Sequence, residues 1–282
     1  MALNRFYIVV FAAFYCWLLP AQSDTQYLLT DASSRLGIAQ FSLVDPYLSP
    51  AKYAGSGVVF SHKAHKLFNA SNKSWSHQSK WNALAGMLNN ESGLAGMMYF
   101  GGNYNWGAYY NLLQMKDFSV LAGANANALF GFKYLSRNVN NPVNFDMAID
   151  LQMALALSYK FKVFRQPVYL QLDAESPLVG CMFVPMPGAS YYEMFDLGSP
   201  VDAFHFSSLH NRHALRTDFM VTIPLNTFSV ITGVGLQSLI YKANNSVYSF
   251  NNFTFQAGVR YQFRYFGGKK KAAPTNFIEP EL

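Results

Sequence analysis

The chain has 282 residues, is 51% hydrophobic and 17% aromatic, and carries a formal charge of +6, yet its mean hydropathy is only +0.06. That balance excludes a bundle of membrane helices, because no apolar run after residue 23 approaches the ~20 residues a spanning helix needs. The basic excess forms no run interleaved with stacking aromatics, so no nucleic acid is expected as a partner.

The N-terminus reads as a secretory signal over residues 1–23. Arg5 supplies the charge, Phe6 to Leu19 the apolar run, and Pro20-Ala21-Gln22-Ser23 the small residues for cleavage. Phe14 and Tyr15 before Cys16 are too bulky for a lipoprotein site, so Cys16 is expected to leave with the signal. Cys181 then stands alone, and the mature chain has no internal disulfide.

Beyond the signal, the recurrent pattern is strict alternation, the mark of a strand with unlike surroundings on its two faces. Residues 30–41, 54–68 and 76–88 are strand candidates. Leu94 to Leu112 sets Met98, Phe100, Tyr104, Trp106 and Tyr110 on one side. Phe118 to Leu135 sets Phe130, Phe132 and Tyr134 against Asn125, Asn127 and Lys133.

The run from Phe145 to Phe161 is the most informative. Phe145, Met147, Ile149, Leu151, Met153, Leu155, Leu157, Tyr159 and Phe161 share a face, with aromatics at its ends and aliphatics between. Asp146, Asp150, Gln152, Ser158 and Lys160 lie opposite. At about 3.3 Å per residue the run is roughly 53 Å long. Tilted by about 40°, it crosses about 40 Å, close to a bilayer with its headgroups. Next, Val168, Leu170 and Leu172 alternate with Tyr169, Gln171, Asp173 and Glu175. From Asn211 to Ile223, His213, Leu215, Thr217, Phe219 and Val221 alternate with Arg212, Ala214, Arg216, Asp218 and Met220. After a turn at Pro224-Leu225-Asn226, Phe228, Val230, Val234, Leu236 and Ile240 oppose Ser229, Gly233, Gly235, Gln237 and Tyr241. From Asn252 to Tyr265 the alternation is unbroken, with Phe253, Phe255, Ala257, Val259, Tyr261 and Phe263 against Thr254, Gln256, Arg260, Gln262 and Arg264.

These runs predict an all-β, antiparallel, up-and-down transmembrane β-barrel of about ten strands, with eight or twelve as the other even counts. The barrel is expected over residues 24–268, followed by a basic periplasmic tail, 269–282, that opens with Lys269-Lys270-Lys271. Short links are expected near 113–116, 162–167 and 224–226. Long ones are expected near 136–144, 184–209 and 242–250, with both termini on the periplasmic side. The link at 89–93 is shorter than this scheme asks.

Three segments resemble an uncharacterised family of outer-membrane barrels from Bacteroides-type bacteria. They are Asp45-Pro46-Tyr47-Leu48-Ser49-Pro50-Ala51-Lys52-Tyr53-Ala54-Gly55, His210-Asn211-Arg212-His213-Ala214-Leu215-Arg216, and the closing strand from Phe250 to Phe266. The resemblance implies a fold and an outer-membrane location in a Gram-negative cell. It implies no chemistry. Many barrels end on an aromatic that assembly machinery reads, whereas here Phe266 is followed by a tail to Leu282.

The candidate lumen charges are Asp146, Asp150, Asp173, Glu175, Arg212, Arg216, Asp218, Arg260 and Arg264. An acidic wall beside a basic one makes either a transverse field across a narrow pore or a plug of ion pairs. The plug is the stronger expectation, because barrels of about eight strands are filled by side chains and open channels need roughly 16–18 strands. In the loop from Val184 to Phe206, Tyr191, Tyr192, Phe195 and Phe204 are candidate outer contacts for a partner or glycan, or else a lid folded inward. A hydrolase site was weighed at Ser207, Ser208, His205, His210 and His213. Its His205-Phe206-Ser207 spacing matches outer-membrane phospholipases without their following Asn-Gly, and Asp202 with His205 is a poor match to barrel proteases. His62 with His65, three apart on a strand, point to opposite faces, so no metal is expected, and no cofactor.

The expected partners are outer-membrane lipid, the barrel-assembly machinery, and either small solutes or another envelope protein. The leading reading is a small outer-membrane barrel of structural, interaction or narrow-pore type. The alternatives are a barrel hydrolase acting on envelope lipid or peptide, and a soluble periplasmic barrel that holds an apolar ligand with its faces inverted. Leu151→Arg is expected to block assembly and Gln152→Arg to be tolerated.

Overall fold

The computed structural model describes residues 27–139, 141–225, 228–263 and 277–278. Its strands in chain order are β1 (Tyr27–Leu28), β2 (Thr30–Asp45), β3 (Ser49–Leu67), β4 (Trp75–Asn90), β5 (Gly96–Gln114), β6 (Phe118–Leu135), β7 (Val143–Val163), β8 (Gln166–Phe183), β9 (Phe204–Ser208), β10 (Arg212–Pro224), β11 (Ser229–Ala243), β12 (Ser246–Phe263) and β13 (Phe277–Ile278). β2 to β8 and β10 to β12 close one antiparallel barrel of ten strands, each paired with the next, β8 with β10, and β12 returning to β2. β9 lengthens the wall beside the far end of β8. β1 and β13 form a separate parallel pair.

The pleat sorts side chains as the alternation predicts. On β7, Asp146, Asp150, Ala154 and Ser158 are buried, while Ile149, Leu151, Met153 and Leu155 are exposed. On β12, Thr254 and Gln256 are buried between exposed Phe253, Phe255 and Val259. The polarity is that of a soluble protein turned inside out. Ile38 is 69% exposed, whereas Lys133 is 0% exposed. Aromatics band the outer surface. Trp75 meets Tyr110 at 5.0 Å, Tyr159 meets Phe161 and Tyr261 meets Phe263 toward the end that carries Thr30 and Phe263. Phe145 meets Phe130 and Phe132 toward the other end. No helix of the described residues is long and apolar enough to cross a membrane.

The end near Thr30 and Phe263 is here the terminal end, and the opposite one the loop end. Two differences from the sequence reading concern the connections. The long link expected near 242–250 is a two-residue turn, because Asn244 and Asn245 take φ of 48° and 56° and asparagine tolerates that left-handed region. The turn over 68–74, at the terminal end, is longer than the Pro46-Tyr47-Leu48 turn at the loop end. Connection length therefore does not alternate strictly around the barrel. The turn between β7 and β8 is also two residues, Phe164 and Arg165, with φ of 48° and 75°. The expected signal peptide, Lys269-Lys270-Lys271, Phe266 and Arg264 lie outside the described residues.

Inside, the loop-end half of the lumen is apolar. Phe41, Leu43, Leu88, Met97, Tyr99, Tyr248 and Phe250 pack into one cluster that reaches Tyr47, Leu48, Val184 and Met194 above. Phe41 crosses a bed of glycine, since a Cβ at Gly86 would lie 2.6 Å from its ring. The other half of the lumen is polar, and it is there that most of the candidate charges meet.

Candidate functional site

Strand parity puts the candidate charges inside, and the barrel wraps each against a partner from another strand. At the terminal end Arg260 grips Asp31 through two nitrogens at 2.8 Å, the fork geometry that suits a carboxylate. Further in, Lys63 donates to Asp173 at 2.7 Å and Lys80 to Glu175 at 2.6 Å, both across the lumen from β8. Asn105 and Asn125 complete the shell of Glu175 at 2.9 and 3.1 Å. At mid-height Arg212 donates to Asp150 at 2.9 Å, and Asn127 donates to the same oxygen at 3.0 Å. Arg216 donates to Asn103 Oδ1 at 2.9 Å and lies 3.8 Å from Asp218. Higher still, Lys133 bridges Asp146 at 2.7 Å and Asp45, and its Nζ sits 4.4 Å above the Tyr248 ring.

Asp146, Asp150, Asp173, Glu175, Arg212 and Asp218 are buried in the lumen, and Arg216 and Arg260 are half-buried there. The strands that carry Asp173 and Arg212 are neighbours, yet these two residues do not pair. β8 and β10 are adjacent, but their register sets Asp173 beside Asp218 and Glu175 beside Arg216. Arg212 answers Asp150, and Asp173 answers lysines on the far wall. The spacing of charges along a strand sets its face. It cannot say which strand lies across the lumen.

Alternation alone does not single out Lys63, Lys80, Asp31 and Asp45 as partners, and it shows Lys133 only as a polar residue. With the strand limits known, the parity of Asp31, Lys63, Lys80 and Lys133 would have placed them inside. Asp45 sat in a segment read as loop, and it is the last residue of β2.

Small cavities lie between these layers among the described residues. One cavity of 40 Å³ lies among Asn103, Asn105, Gln152, Glu175, Arg212 and Arg216. Another of 20 Å³ lies among Asn82, Asp218, Gln237 and Gln256. Since a single water occupies about 10–15 Å³ on such a measure, these are spaces for a few waters.

The loop between β8 and β9 folds over the loop end. Its π-helical turn, Glu193–Leu197, buries Met194. Tyr191 packs near-parallel against both Phe183 and Phe195, which also meet each other, donates to Asn144 Oδ1 at 2.8 Å, and accepts from the Phe145 amide at 3.1 Å. Asn144 in turn donates to Asp45 at 2.7 Å, which joins the loop to the Lys133 bridge. Burial, with Asp45 and Glu193 nearby, pushes the Tyr47 phenol up to about 12, so the neutral ring is favoured and closure weakens as pH rises from its ordinary 10 toward that value. The expected outer contacts divide. Tyr191 is part of the lid, whereas Tyr192 is 62% exposed, and Phe195, Phe204 and Phe206 are exposed as well. Tyr191→Phe removes one donated and one accepted bond and should cost about 1 kcal/mol of closure. Protease cutting within 184–203 on intact vesicles should then speed up several-fold, about the factor that energy implies.

The residues of the alternative hydrolase reading are not brought together as a nucleophile, base and orienting carboxylate among the described residues. Ser207 is 2% exposed within β9, and His205 Nε2 has no partner. Ser208 Oγ lies 2.6 Å from His210 Nδ1 in the turn before β10, but among the described residues no carboxylate orients that imidazole. His62 points outward to Ser34 Oγ at 2.9 Å, and His65 points inward. Among the described residues no group of three or more His, Cys, Asp or Glu side chains is arranged to hold a metal ion.

A family model described as "Protein of unknown function (DUF3316)" matches residues 7–270. No curated protein matches the chain. Solved structures that match it include the outer membrane protease OmpT from Escherichia coli, at 9% identity and TM-score 0.43, covering 86% of this chain and 99% of that one. The transport unit of the autotransporter AIDA-I from Escherichia coli matches at 10% identity and TM-score 0.46, covering 88% and 94%. Ail, the attachment invasion locus protein of Yersinia pestis, matches at 10% identity and TM-score 0.29, covering 82% and 98%. None of these likenesses transfers a residue role.

Proposed function

The chain belongs to the DUF3316 family of proteins of unknown function, and because that family brings no activity with it, we propose from the geometry that it is a small outer-membrane β-barrel with a filled lumen. It is an interaction and structural element of the envelope, and it conducts no solute stream. The observation that carries this reading is the stack of ion pairs across the lumen, from Arg260–Asp31 through Lys80–Glu175 and Arg212–Asp150 to Lys133–Asp146, with cavities of 40 and 20 Å³ among them. An aqueous pore needs its charges to face water, and these face one another.

The outer belt supports the location. Leu36, Ile38, Val58, Leu151, Leu236 and Phe255 are large, apolar and exposed. A soluble barrel would leave that area in water at about 25 cal/mol per Å². In this reading the host is a Gram-negative bacterium of Bacteroides type, residues 1–23 direct export, and the terminal end with the tail 269–282 faces the periplasm. The belt contacts outer-membrane lipid, the assembly machinery inserts the strands, and the exposed rings Tyr192, Phe195, Phe204 and Phe206 meet another envelope component outside the cell. Purified protein in planar bilayers tests the filled lumen. No unitary conductance steps are expected, and steady steps from the parent protein would overturn it.

A further inference from the structure

The wall between β8 and β10 is not continuous. The two strands pair from Tyr169↔Thr222 to Glu175↔Arg216, and beyond that the pairing partner changes to β9, from Val179↔Ser208 to Phe183↔Phe204. Between the two ladders Ser176, Pro177 and Leu178 face no strand on that side, because the chain detours through Leu209 to Asn211 and then pairs with β11 alone from Arg212 to Leu215. Pro177 has no amide to donate, and the register against β7 shifts by one residue at the same place. The 40 Å³ cavity sits behind this gap. It is lined by lumenal Arg212, Arg216 and Glu175 and also by Pro177 and Leu215. Leu215 is 54% exposed and belongs to the outer face, so the cavity lies directly against the wall at this gap, with an outer-face residue on its border.

The charges around that cavity are unequally matched. Glu175 is taken by Lys80, Asn105 and Asn125, and Arg212 is taken by Asp150. Arg216 holds a neutral amide oxygen at 2.9 Å, and its nearest carboxylate is Asp218 at 3.8 Å. Its side chain keeps 18% exposure. We propose that the seam at Pro177 and Leu215 is a lateral site for an amphiphile with a single carboxylate head, a fatty acid, whose head group meets Arg216 while its chain lies outside along the belt. The cavity admits a group of a few heavy atoms, which suits a carboxylate and is too small for a phosphodiester with its substituents.

The test uses the full protein in phosphatidylcholine nanodiscs with radiolabelled palmitate and, separately, hexadecanol. A charge-assisted bond to Arg216 should make palmitate bind about tenfold more tightly than hexadecanol, with one site per chain. Arg216→Gln should erase that preference. Leu215→Trp, which fills the outer end of the seam, should weaken palmitate, whereas Leu36→Trp on β2, an exposed belt position separated from the gap by β11 and β12, should not. Each variant is checked for the gel shift on heating that marks a folded barrel. If Arg216→Gln does not fold, the contrast between Leu215→Trp and Leu36→Trp decides. Equal binding of acid and alcohol, a preference that survives Arg216→Gln, or equal effects of the two tryptophans would overturn the proposal. None of these results bears on conductance, so the filled-lumen reading stands or fails separately.

Discussion

Lys133→Met should destabilise the folded barrel by about 3–5 kcal/mol, the range for breaking a buried ion pair by removing one partner. Lys133 is wholly buried and holds both Asp45 and Asp146. Methionine fills much of the volume and leaves two carboxylates facing each other, with the Asn144 amide, the Tyr47 backbone N–H and the Tyr248 hydroxyl among their remaining donors. Urea unfolding from lipid vesicles measures the loss. Adding Asp45→Asn and Asp146→Asn to Lys133→Met should return most of it, because the cost lies in stranded charge and a well-packed neutral cluster can replace a buried ionic one. A triple variant as unstable as the single one would locate the effect in packing over the Tyr248 ring. The same bridge anchors Asn144 and, through it, Tyr191, so Lys133→Met should also expose the 184–203 loop to protease.

Leu151→Arg comes second, at about 2–4 kcal/mol for a cation near the middle of the hydrocarbon. Leu151 is 47% exposed in the aliphatic middle of β7. The companion Gln152→Arg is no longer a fair control. Gln152 lines the 40 Å³ cavity beside Arg212 and Arg216, so a third guanidinium would crowd that space and repel its neighbours. Gln152→Glu keeps the size and should be accepted within about 1 kcal/mol, since the new carboxylate faces those arginines. Refolding into vesicles, read by the heat-dependent gel shift, should fail for the first substitution and succeed for the second.

How much was legible depended on contrast between the two faces of each strand. β7 and β12 were plain because lipid meets one face and an ion-paired lumen the other. β2 was read as a weak candidate ending at 41, yet it runs to Asp45. Near the loop end its inward residues Ala39, Phe41 and Leu43 are as apolar as its outward Ile38, so the period of two fades where the lumen itself becomes a hydrophobic core. β8 was read as far as Glu175 for a related reason. The bulge at Pro177 and Leu178 shifts the parity, and Phe183 on the outer face is covered by Tyr191, Phe195 and Phe204. The candidate charges were found by face, but their pairings were not. Lys63 and Asp173 are 110 residues apart, and their meeting follows from closure of the sheet and from its tilt, neither of which leaves a local mark. The lid has the same character. Tyr191 looks like its neighbour Tyr192 in sequence, and only the position of Asn144 beneath it turns one ring inward.

The account rests most on which face meets lipid, and spin-label accessibility measures that face directly. Exposed Cys181 is first replaced by serine, and single labels are placed at Ile38, Leu151 and Phe255 on the belt and at Val139 beyond β6, which is 89% exposed. In phospholipid vesicles the three belt labels should collide freely with oxygen and scarcely with a water-soluble nickel chelate, and the Val139 label should show the reverse. Free access of the nickel chelate to the labels at Ile38, Leu151 and Phe255 would contradict a lipid-facing belt and the filled, inside-out barrel built upon it.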